Sequence, residues 1–94
     1  MEPIEIGKYG MLRRTYLKEH HQNWYQSLWL SGKLNRHLSE IDRAANERME
    51  VLMEQLEERF PAPDKAADQL AWAAHMNNLT AMAEETVLTE LVYN

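Results

Sequence analysis

The side chains in this chain that could do chemistry are four histidines (His20, His21, His37 and His75) and a row of carboxylates (Glu50, Glu54, Glu57 and Glu58). A helical zinc site needs two histidines at i and i+4, or a histidine with a carboxylate at i+3 or i+4, meeting further ligands from a facing helix. His37 and Glu40 have that spacing, but nothing joins them, and the Glu-x-x-His motif of di-metal bundles does not occur. His20 and His21 suit a polar turn better. Glu50, Glu54 and Glu58 stand at i, i+4 and i+8, where like charges repel by about 0.2–0.5 kcal/mol per pair. They form either a solvated face or an acidic track for a basic segment of the same fold or of a partner. There is no cysteine, no Gly-rich phosphate loop and no Ser/His/Asp arrangement. The expectation is therefore a non-enzymatic protein with no catalytic, metal or cofactor site and no small-molecule substrate.

The net charge of −5 conceals an asymmetry. Between Lys8 and Arg36 lie six basic residues and one acid; from Glu50 onward lie two bases and nine acids. Arg13, Arg14, Lys18, Lys33 and Arg36 are the candidate contacts for phosphate or for an acidic partner. The plainer alternative is that this basic segment packs beside the acidic helices of its own fold. A helix-turn-helix reading fails on its recognition helix: residues 24–31 contain no Arg or Lys and too many apolar side chains for a groove-facing helix. Arg13, Arg14 and Lys18 suit backbone contacts that carry no sequence information.

The elements that must position these residues are marked by the helix breakers, which occur only at Pro3, Gly7, Gly10, Gly32, Pro61 and Pro63. In residues 33–60, Leu34, Leu38, Ile41, Ala45, Met49, Leu52, Leu56 and Phe60 step by three or four, an eleven-residue repeat that keeps one face of a long helix apolar. Pro61 and Pro63 end it. A second long helix is expected over 64–92, with Asp64 as its N-cap. Its apolar face is wide enough for two neighbours, and a short connection makes it antiparallel to the first. The N-terminal segment, 9–31, is expected as two short helices, 9–20 and 23–31, with Asn23 capping the second and Gly32 closing it. One bent helix is the alternative. Trp24, Tyr25 and Trp29 carry large apolar area; a place in the core is expected, with a protein interface as the alternative. The fold class is thus all-α: a small single-domain helical bundle over 1–94, built on a long antiparallel helical hairpin with a short, broken N-terminal helical segment. No run of 18–20 apolar residues exists for a membrane span, and the N-terminus lacks the pattern of a secretory signal. No membrane partner is expected, and the chain reads as cytoplasmic.

Three blocks go further: residues 9–20 (YGMLRRTYLKEH), 31–42 (SGKLNRHLSEID) and 76–93 (MNNLTAMAEETVLTELVY). In content and order they resemble the transposon-encoded TnpV family. The resemblance implies an accessory protein of a transposon or conjugative mobile element, with no catalytic residues to carry over. Its partners would be a protein of the same element or a second copy of itself, with DNA as a further candidate. Two rivals remain open: a direct DNA-binding protein using its basic N-terminal third, and a helical oligomerisation or adaptor module. Asn77 and Asn78 are poor helix formers on an apolar helix, and one of them is expected to bond across to the hinge near Gly32, fixing the N-terminal segment against the hairpin.

Overall fold

The computed structural model describes residues 6–94, whose regular structure is entirely helical. The elements are α1 (Lys8–His20), α2 (Gln22–Leu30), α3 (Leu34–Arg59) and α4 (Gln69–Val87), which runs on into a π-helical turn, Leu88–Val92. The all-α hairpin expected from the spacing is present.

The stripe on α3 buries Leu34, Leu38 and Ala45 and half-buries Met49, Leu52 and Leu56, while Phe60, just past the helix end, is 40% exposed. Burial fades along the helix because its cover runs out. At 1.5 Å per residue α3 spans roughly 39 Å and α1 only about 20 Å. α1 lies antiparallel to the first half of α3, with Tyr9 clustered against Ala45, Val87 and Val92. Beyond that point α3 and α4 cover only each other. The molecule is accordingly long, 55 × 31 × 19 Å, with a radius of gyration of 16.7 Å, against about 12 Å for a compact chain of this length.

α1 and α3 meet closely at Gly10, where an added Cβ would stand 2.8 Å from the Leu38 carbonyl oxygen. The cap of α1 comes from the other helix. Gly7 occupies the N-cap position and has no side chain to accept a bond, so the Asp42 carboxylate of α3 accepts from the Gly10 N–H at 3.1 Å. It also places a negative charge at the positive end of α1. Asp42→Ala should therefore cost about 1 kcal/mol, read as a melting temperature lower by roughly 4–8 °C. Asp42→Asn should recover most of it. Equal melts for Asp42→Ala and wild type would remove the cross-helix cap.

α1 and α2 are two helices, broken at His21 (φ −137°, ψ 57°). The expected cap at Asn23 is not used: His21 occupies the N-cap position, and Asn23 lies in the first turn. Gly32 closes α2 at φ +73°. Its N–H donates to Trp29 and that of Lys33 to Leu28, the paired bonds of a Schellman motif. The left-handed backbone there needs glycine.

The start of α4 differs from the expected Asp64. Asp64 accepts from the Ala66 N–H instead, closing a turn within the loop, and Asp68 caps the helix by accepting from Ala71. Lys65, Ala66 and Ala67 are good helix formers but make a single turn, closed by the Asp68 N–H on the Asp64 carbonyl at 2.9 Å, before Asp68 starts α4. The loop is pinned by Lys65 over the Trp72 ring at 4.5 Å and by His75, whose Nε2 donates to the Phe60 carbonyl at 2.7 Å. Asn77 and Asn78 are exposed and, among the described residues, make no bond to the Gly32 hinge. The N-terminal segment is held to the end of the hairpin by Arg13 of α1 instead, through Val92 and Asn94.

Candidate functional site

Arg13, expected as a surface contact for phosphate or acid, is 2% exposed. It lies on the inward stripe of α1 between Tyr9 and Leu17, one helical turn from each, so its guanidinium enters the junction of three helices. Nη1 donates to the main-chain oxygens of Val92 and Asn94, both at 3.0 Å, and to Asn94 Oδ1 at 3.1 Å. Nε makes a long contact, 3.4 Å, to His37 Nε2. Trp24 and Tyr16 wall the guanidinium, their ring centroids 5.2 and 5.8 Å from Cζ, and Trp24 packs on His37 at 5.5 Å. The π-helical turn brings the carbonyls to this point. Burial pushes the guanidinium down from its ordinary value, though an arginine remains charged. This is a clamp tying α1, α2, α3 and the C-terminal turn together, and Arg13 is not free for a ligand.

His37 is therefore engaged within the fold. It accepts at Nε2, so its neutral ring carries the proton on Nδ1. Burial first, and the Arg13 charge second, push His37 below its ordinary value; Glu40 opposes them. The unfolded chain then binds this proton more readily than the folded one, so stability rises with pH across that range. The contribution is complete above about pH 6.5, the ordinary histidine value, and is lost as pH falls through the lower folded value. Melting between about pH 7.5 and about pH 5 should show stability falling on the acid side. His37→Gln should flatten that slope. An unchanged slope in His37→Gln would contradict the account.

The other four cations stay outside. Arg14, Lys18, Lys33 and Arg36 are exposed. Arg36 pairs with Glu40 of its own helix at 3.4 Å; the other three have no acidic partner among the described residues. Among the described residues, Lys8 of the basic segment pairs with Glu84 of α4, and Arg48 of α3 pairs with Glu90. No cation reaches Glu50, Glu54, Glu57 or Glu58 among the described residues, so the acidic track does not receive Arg13, Arg14 or Lys18.

The aromatic cluster is not in the core. Trp29 is 65% exposed, Leu30 78% and Trp24 44%; Tyr25 is half-buried. None of the nine residues of α2 is buried. The Schellman turn sends α3 away from α2 at once, so α2 touches the bundle through the Arg13 clamp and leaves its apolar side open. Between them, Arg14, Tyr25, Trp29, Gly32, Leu34 and Asn35 line a shallow groove where α1, α2 and the start of α3 meet. Exposed Arg14 thus stands beside the exposed apolar side of α2.

Among the described residues no three His, Asp or Glu side chains converge as metal ligands, and no helix is long and apolar enough to cross a membrane. The family described as transposon-encoded protein TnpV matches residues 1–92. The chain belongs to the TnpV family. Neither the curated proteins nor the solved structures provide a match. The three blocks that resemble TnpV are those that meet at the clamp and the cap: Gly10 and Arg13 from the first, His37 and Asp42 from the second, and Val92 from the third. In this TnpV member α1, α2, the start of α3 and the C-terminal turn are held as one unit, and α2 is its most exposed apolar element.

Proposed function

We propose that this protein is a non-enzymatic accessory protein of a transposon or conjugative element and acts through protein contacts made by α2. The carrying observation is that a nine-residue helix with Trp24, Tyr25, Leu28, Trp29 and Leu30 has no buried residue. Exposed aromatic area of this kind, next to arginine, is typical of the energetic centre of interfaces. The test is co-expression with each protein encoded by the same element, followed by co-purification of wild type and of a Trp29→Ala/Leu30→Ala variant. Retention by wild type and loss in the variant, with unchanged circular dichroism, supports the reading. Equal retention places the contact elsewhere.

A second reading, DNA-backbone binding, is favoured by Arg14, Lys18 and Lys33, which are exposed without acidic partners among the described residues. It predicts duplex binding that weakens steeply with salt and is lost in Arg14→Ala/Lys18→Ala/Lys33→Ala. Binding lost in Arg13→Ala but kept in that triple variant would contradict it.

A further inference from the structure

We propose that the chain pairs with a second copy of itself, the two α3 helices lying antiparallel about a two-fold axis. The inference rests on the reading of α2 as a contact surface and names its occupant.

The outer face of α3 carries Lys33, Arg36, Glu40, Arg43, Glu47, Glu50, Glu54 and Glu57 at alternating steps of three and four, and all eight are exposed. That spacing places them in one stripe along the helix. Bases gather at its start and acids at its end, against the helix dipole, which favours the opposite arrangement. No basic residue of another helix relieves the acids among the described residues. An antiparallel second copy does. In one register Lys33 faces Glu57, Arg36 faces Glu54 and Arg43 faces Glu47, each pair occurring twice by symmetry. The like pair Glu40 and Glu50 is softened by Arg36, which already holds Glu40.

The same pairing sets the exposed apolar ends alongside each other. Trp29 and Leu30 stand at the start of α3, whereas Leu70, 84% exposed, stands beyond its far end. Antiparallel pairing brings the aromatic end of one chain to the uncovered hairpin end of the other. The area suffices. The chain exposes 6912 Å², against roughly 5,700 Å² for a compact protein of its mass. A standard interface removes about 800 Å² per partner.

Sedimentation velocity of the full chain, from low to high micromolar at low and high salt, tests this. The expected result is a species of twice 11.1 kDa that reverts toward monomer as salt screens the stripe. Arg36→Glu and Glu54→Arg should each weaken pairing roughly tenfold, about 1.4 kcal/mol, and the double variant should recover it. Trp29→Ala/Leu30→Ala should leave monomer. All these positions are exposed, and circular dichroism confirms folding. A monomer at every concentration overturns self-pairing, as does a dimer in which the double charge exchange gives no recovery. A monomer that instead binds a co-expressed protein of the element through Trp29 and Leu30 also overturns it, while leaving the reading of α2 standing.

Discussion

Replacing Arg13 with alanine is expected to lower the stability of this protein by about 3 kcal/mol, the effect of removing charge-assisted bonds and orphaning buried partners. The two Nη1 hydrogens are shared among three oxygens of residues 92 and 94, and no other donor is positioned to replace them. Truncation also opens a void between Tyr16, Trp24 and His37 and leaves the Val92 carbonyl without its donor in a buried setting. A domain of this size is stable by only about 5–14 kcal/mol in all, so the melt should drop by more than 10 °C, roughly. Arg13→Lys should recover less than half. A lysine has one nitrogen and no planar fork, so it cannot hold the C-terminal oxygens while lying between two rings. Thermal melts of the two variants against Arg14→Ala separate this role from a surface role. If Arg13 served an external ligand, Arg13→Ala and Arg14→Ala would melt alike.

Gly10→Ala is expected to destabilise by about 2 kcal/mol, the usual scale of overpacking, although alanine is the better helix former by about 1 kcal/mol. The two effects oppose each other, and their sizes decide the sign. An added Cβ would come within 2.8 Å of the Leu38 carbonyl oxygen and would also strike the Ile6 side chain. The side chain can turn away; the backbone of α3 cannot. α1 would have to lift, and with it the Gly10 bond to Asp42 and the Arg13 clamp. Urea titration reads the loss directly. A variant as stable as wild type, or more so, would show that α1 and α3 do not approach this closely.

The long hairpin was legible because its signals are local and redundant: a three-and-four stripe from Leu34 to Leu56, two prolines after Phe60, and Gly32 where the chain must turn left-handed. The start of α4 was less so, since Asp64 and Asp68 are both competent caps and only their surroundings choose between them. The clamp was hidden by residue type. An arginine on a stripe of apolar residues looks like its exposed neighbour Arg14. The available signal was position: Arg13 sits four residues from both Tyr9 and Leu17, which are buried. The aromatic helix misled in the other direction. Trp24, Tyr25 and Trp29 have the bulk of core residues, but the Schellman turn after Leu30 denies α2 a neighbour, and turn geometry does not reveal what lies across it.

The central claim, that α2 keeps its apolar face open in the free chain, is tested most directly by the accessibility of Trp29. With Trp24 and Trp72 replaced by phenylalanine, Trp29 is the sole indole, and acrylamide quenching reports its exposure at the lowest concentration that gives a signal. Quenching close to that of free tryptophan, falling as protein concentration is raised, is the predicted result. A Trp29 already shielded at that dilution would mean that the chain covers α2 itself and that no such contact surface exists.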